Sequence, residues 1–143
     1  MRRKNLIYLV VIMASIFFMI GSSFAAEAKK EESKKIHKSI IIYEEEGLVP
    51  PNLTAKLGVT VSWVNLSETE AEILFLDKKV ADAADCPVHF FIGRKGAYES
   101  HKMCAGCTAS LCFQEKGEFD YIVKESRTFY GGEKEFRGTI VIK

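Results

Sequence analysis

All four cysteines of the chain fall within twenty-seven residues, as Cys86-Pro-Val-His89 and Met103-Cys104-Ala-Gly-Cys107-Thr-Ala-Ser-Leu-Cys112. Cys86-x2-His89 and Cys104-x2-Cys107 are short chelating pairs like those of a tetrahedral zinc site, because one tight turn at that spacing presents two ligands to one ion. His101, Met103 and Cys112 are spare donors, and a Cys/His/Met set also accommodates copper(I). The spacing thus predicts a site for a thiophilic ion, copper or zinc, built from Cys86, His89, Cys104 and Cys107, with Cys112 able to replace His89. The same thiols have a second chemistry. In an oxidising compartment four cysteines form two disulfides, in one of three connectivities, and these would hold the segment 77–117 against the rest of the domain. The residues alone leave both chemistries open.

The compartment is read from the first residues. Met1-Arg2-Arg3-Lys4-Asn5 is basic, Leu6 to Ile20 is almost uninterruptedly apolar, and Gly21-Ser22-Ser23-Phe24-Ala25-Ala26 supplies the small residues that a signal peptidase reads. Residues 1–25 are expected to be a bacterial export signal cleaved after Ala25, which places the protein in the periplasm or outside the cell. The competing expectation is an uncleaved membrane anchor. Cleavage removes three positive charges and takes the formal charge from +1 to −2. Basic and acidic residues are interspersed in what remains, which excludes a nucleic-acid footprint and a polybasic membrane patch. Residues 26–35, with the run Glu27 to Lys35, read as a charged flexible leader, and residues 36–143 as one domain.

The elements that must position the cluster are strands. Ser39 to Tyr43 opens as one, and Gly47 to Asn52 is expected to break it because consecutive prolines cannot donate to a ladder. Leu53 to Leu57 follows. Val59, Val61 and Trp63 alternate onto one face of the next strand, and Trp63 is expected in the core. Ala71 to Leu76, Glu118 to Val123 and Gly138 to Ile142 complete the clear runs. Lys78 to Asp85 could form a helical turn or two, and Gly93 to Met103 has no strong period. Glu68, Glu70 and Glu72 share a solvent face, Glu44-Glu45-Glu46 is a solvated charge run, and His37 is expected to be exposed. No Ser/His/Asp or Cys/His arrangement, phosphate loop or carboxylate pair makes a case for an enzyme. Covalent haem attachment needs a histidine after Cys107, where Thr108 stands. A thioredoxin-like site needs Cys-x-x-Cys at a helix start within an α/β pattern, which these strands do not supply.

Three stretches together resemble a known family. Pro51-Asn52-Leu53-Thr54 with Gly58-Val-Thr-Val61-Ser-Trp63-Val-Asn65, then Gly117-Glu-Phe119-Asp-Tyr121, then Phe136-Arg-Gly138-Thr-Ile140-Val-Ile142, resemble the strand framework of the cupredoxins, the small blue-copper sandwich proteins. The resemblance implies an all-β, cupredoxin-like Greek-key β-sandwich of seven or eight strands with a Cys-containing insertion. It also implies where copper ligands should stand: a histidine a few residues after the Trp-x-Asn strand, a thiolate just after the Gly-x-x-x-Tyr strand, a second histidine within 124–135, and a weak methionine near Phe136. This chain has Glu68 to Glu72, Ile122-Val123, no histidine and Phe136 at those places. The expectation is therefore an exported cupredoxin-like protein that handles copper or zinc through the Cys/His cluster rather than the blue-copper site. The alternative is a non-catalytic structural or interaction module of the envelope with two disulfides, whose partner is another envelope protein.

Overall fold

The alternation in residues 60–65 is the seed of the architecture. Thr60–Asn65 (β4) buries Val61, Trp63 and Asn65 and turns Thr60, Ser62 and Val64 outward, as a half-buried strand must. His37–Tyr43 (β1) lies parallel to it, with Ile40 beside Trp63. A computed structural model describes residues 36–126 and 132–143. The export signal and charged leader expected over 1–35 lie outside them.

Gly47–Val49 (β2) pairs antiparallel with β1. This corrects the expected break over 47–52. The prolines interrupt the chain only after Val49, where the Val49–Pro50 bond is cis, and Asn52–Ala55 (β3) starts a new strand at once. Gly47 makes the return to β1 feasible: its φ is +78°, and a Cβ there would stand 2.6 Å from the Phe136 ring. Glu70–Phe75 (β5) is followed by one short helix, Lys79–Ala83 (α1), as the sequence suggested for that segment.

The loosely patterned region contains four further strands. They are Ala84–Val88 (β6), Phe90–Ile92 (β7), Tyr98–Ser100 (β8) and Thr108–Phe113 (β9). Gly117–Ser126 (β10) and Glu133–Ile142 (β11) then form a long antiparallel pair. Two sheets result, one ordered β2-β1-β4-β9-β6 and the other β3-β11-β10-β5-β8-β7. The expected all-β sandwich is present, with eleven strands among the described residues in place of seven or eight because the cysteine-rich stretch is itself sheet. Among the described residues no helix is long and apolar enough to cross a membrane.

The core lies between the sheets. Ile40, Ile42, Val61, Trp63, Leu111 and Phe113 come from one sheet and Ile73, Tyr121, Val123 and Ile140 from the other, all fully buried. Trp63 meets Phe75, Phe90 and Tyr121 edge to face, with centroids 5.9, 5.4 and 5.5 Å away, a geometry suited to ring quadrupoles. Among the described residues neither the Trp63 Nε1 nor the Tyr121 hydroxyl has a hydrogen-bond partner of good geometry.

Burial pushes the Tyr121 hydroxyl up to about 12 from an ordinary 10.0, and the nearby indole N–H offsets only part of that. An unfolded chain releases this proton first, so the contribution of Tyr121 to stability is intact below pH 10 and is lost as pH rises through 12. The loss amounts to about 3 kcal/mol at most. Tyr121→Phe is expected to abolish this share of the alkaline loss in urea denaturation followed between pH 9 and 12. An identical alkaline slope in the variant would assign the loss to another group.

Candidate functional site

The predicted ligands are distributed along β6, β9 and the turn that enters β9. β9 is a central strand next to β4, with Thr60 opposite Cys112 and Trp63 opposite Ala109. Its inward face carries Ala109, Leu111 and Phe113, so Cys112 points to the outer face, half-buried, with its Sγ 3.4 Å from Thr60 Oγ1. Cys107 precedes the strand at the opposite end. Four extended residues separate it from Cys112, so five steps of strand rise carry the chain roughly 16 Å.

β6 lies at the edge beside β9, with Asp85 opposite Cys112 and Val88 opposite Ser110, and the register shifts between them. Such a bulge re-aims side chains, and an edge strand is where Pro87 can be accommodated. Cys86 and His89, both with φ in the left-handed region at 52° and 60°, bracket it. Cys86 is exposed and His89 is exposed. Cys86 and Asp85 both act on Tyr98, whose hydroxyl is raised first by burial and then by these two neighbours. The backbone oxygen of His89 accepts from the His101 N–H at 2.9 Å, and the His101 ring stacks obliquely on Phe91 at 4.8 Å.

Cys104 and Cys107 are joined to each other, with S–S 2.01 Å and Cα–Cα 5.2 Å. Cys86 and Cys112 lie outside that bond, so one of the two expected bridges is present. It spans only its own four-residue turn and does not tie 77–117 to the sandwich. In the chain-entropy picture so short a loop gains about 2 kcal/mol. Among the described residues, no group of three or more His, Cys, Asp or Glu side chains is placed to hold a metal ion. The structure thus brings Cys104 and Cys107 together and does not gather Cys86, His89 and Cys112 around them.

The turn is held chiefly by Asn65, a residue the sequence reading used only as part of the family framework. Its Nδ2 donates to the carbonyls of Thr69, Met103 and Cys104 at 2.8, 2.9 and 3.3 Å, and its Oδ1 accepts from the Ser67 N–H and hydroxyl at 3.0 and 2.7 Å. Its backbone N–H donates to the Cys107 carbonyl at 3.0 Å, and its carbonyl accepts from Gly106 at 2.6 Å. Met103, buried to 2%, exchanges backbone bonds with Ala71 at 2.8 and 3.0 Å. A signal for Asn65 was available. The alternation that buries Val61 and Trp63 also buries Asn65, and a buried amide must find partners.

At the positions that the family resemblance reserves for copper ligands, the inward-facing side chains are hydrocarbon. Ala71 and Val123 are buried on the inner faces of β5 and β10, and Phe136 on β11 is half-buried opposite Val123. Glu125, 1% exposed, is opposite Ala71 on the same inner face of β10. Part of the segment expected to hold the second histidine, 127–131, lies outside the described residues, and its sequence contains neither His nor Cys. A blue-copper centre needs two imidazoles and a thiolate around the ion. These residues do not fit one. Glu68 and Glu70 are exposed and Glu72 half-buried on the outer side, with Glu70 paired to Lys102 at 3.4 Å, in keeping with a solvent face.

Fold and site together define a cupredoxin-like sandwich without the blue-copper ligand set. Its two sheets carry the framework motifs on β3, β4, β10 and β11, with the parallel pairs β1–β4 and β3–β11. No protein-family model matches the chain, and no curated protein sequence matches it significantly. Among solved structures the chain is similar to variants of amicyanin. One is a methionine-to-alanine variant in its Cu(I) form, 21% identical over 73% of this chain and 82% of that one, with a TM-score of 0.47. Another is a reduced tryptophan-to-tyrosine variant, 18% identical over 77% and 84%, with a TM-score of 0.49. An oxidised methionine-to-leucine variant is 24% identical over 76% and 82%, with a TM-score of 0.47.

Proposed function

We propose that this protein is a non-catalytic interaction module of the bacterial envelope, a cupredoxin-like sandwich that does not carry electrons through copper. One observation carries the reading: at the places where the family resemblance expects copper ligands, the inward-facing side chains are those of Ala71, Val123 and Phe136, none of which has a donor atom. The partner is another envelope protein, met in the periplasm or at the cell surface. Copper(II) added to the purified protein is expected to give no intense visible thiolate-to-copper band. A blue product at one copper per chain would overturn the proposal.

A second reading, a thiophilic metal site, is supported by the Cys104–Cys107 turn, which keeps two sulfur atoms adjacent, with Cys104 exposed and Cys107 half-buried. Reduction would make both available as thiolates for copper(I) or zinc, with Cys86, His89 and Cys112 as the remaining predicted donors. Elemental analysis of the reduced, anaerobically handled protein distinguishes the two. Stoichiometric zinc or copper lost together with Cys104→Ser supports the metal site, and its absence leaves the interaction module.

A further inference from the structure

We propose that the Cys104–Cys107 disulfide is a reversible thiol–disulfide exchange site for a dithiol. Accessibility is the first observation. Cys104, Ala105 and Gly106 are exposed and Cys107 is half-buried, so an incoming thiolate reaches the Cys104 sulfur without any opening of the sandwich.

The second observation is that the turn does not depend on the bond. Asn65 holds Met103, Cys104, Gly106 and Cys107 by side-chain and backbone hydrogen bonds, Met103 is anchored to Ala71, and the Cys107 N–H donates to the Cys104 carbonyl at 3.0 Å. Gly106, at φ +78°, supplies the left-handed residue that closes the turn. With these contacts intact, the reduced thiols remain side by side and ready to close again. A bridge that links only its own turn, in a turn also fixed by other means, is not needed to keep the turn in place and is well suited to being opened.

Exchange then follows ordinary thiol chemistry. A thiolate of the dithiol attacks Cys104 Sγ, the bond to Cys107 breaks, and Cys107 leaves as a thiolate that takes a proton from solvent. The second thiol of the dithiol loses its proton and attacks its own sulfur in the mixed disulfide, releasing the Cys104 thiolate, which is protonated in turn. Two electrons and two protons move to this chain, and the dithiol becomes a disulfide. Nothing thioredoxin-like is required, since the turn is positioned by β4 and β9 rather than by a helix.

The test uses the native protein, with dithiothreitol as a small dithiol and reduced thioredoxin as a protein dithiol, followed by alkylation and intact mass. Reduction is expected to add two alkylated thiols, at a rate within about tenfold of that in denaturant, while the near-ultraviolet signal of Trp63 persists. In Cys107→Ser the remaining Cys104 is expected to form a mixed disulfide with oxidised thioredoxin or with the disulfide of glutathione, and in Cys104→Ser the half-buried Cys107 to do so far more slowly. Faster reaction with thioredoxin than with dithiothreitol assigns a protein partner, and the reverse order a small-molecule one. A bond that is reduced only after unfolding, or whose reduction abolishes the Trp63 signal, would overturn the proposal. The copper test above is independent of this result.

Discussion

Trp63→Ala is expected to destabilise the domain by about 3–5 kcal/mol, near the upper end for a single core truncation. Trp63 is the most voluminous of the fully buried side chains, and its ring is enclosed by Phe75 and Tyr121 from one sheet and Phe90 from the edge. Those rings are themselves fixed by further contacts, Phe75 to Phe113 and Phe90 to Tyr98 among them, so the cavity cannot collapse cheaply. The loss should show in urea denaturation as a lower midpoint at unchanged slope, read by far-ultraviolet circular dichroism because the only tryptophan is gone. Trp63→Phe should recover most of it, since a smaller ring keeps the edge-to-face contacts and removes an indole N–H that has no well-placed acceptor. A cost for Trp63→Ala below about 1 kcal/mol would mean that the inter-sheet core is not organised around this ring.

The second large effect is expected at Asn65, where alanine should cost about 2–4 kcal/mol. The carbonyls of Met103, Cys104 and Thr69 keep other donors, from Ala71, Cys107 and the Ser67 hydroxyl, so the penalty falls mainly on the buried Ser67 N–H and on the lost bonds themselves. Asn65→Asp should be no better, because it would turn an oxygen toward three carbonyl oxygens that now receive an N–H. The diagnostic consequence lies at the turn. With its side-chain clamp removed, the Cys104–Cys107 bond should be reduced faster and re-form more slowly, even under conditions where the domain stays folded. Unchanged exchange rates in a folded Asn65→Ala variant would show that the backbone bonds alone hold the turn.

Part of this architecture was readable from residues and part was not. The faces of β4, β10 and β11 follow from period-two alternation of large apolar residues, and the vacancy of the copper position follows from Val123 and Phe136 standing where a family pattern asks for sulfur. The strands of the cysteine-rich stretch were hidden for separate reasons. β7 and β8 are three residues long, too short for a period to show, and β6 is broken by a bulge that contains Pro87. β9 alternates correctly, but Ala109 and Ser110 differ too little in size to announce it. That missed strand also explains the dispersal of the cysteines. Spacing in sequence suggested one site, whereas the extended segment between Cys107 and Cys112 carries them toward opposite ends of β9.

The order of the second sheet constrains how the fold can form. β3 is joined to its sheet only through β11, and β11 completes the pair with β10. A chain still emerging from a ribosome has β3 in hand with no strand neighbour to receive it until β11, Glu133–Ile142, arrives. Contacts of such long sequence separation close late and slowly. Assembly of this edge is thereby deferred until β11 is available, and a truncation that removes Glu133–Ile142 also leaves β3 without its strand neighbour.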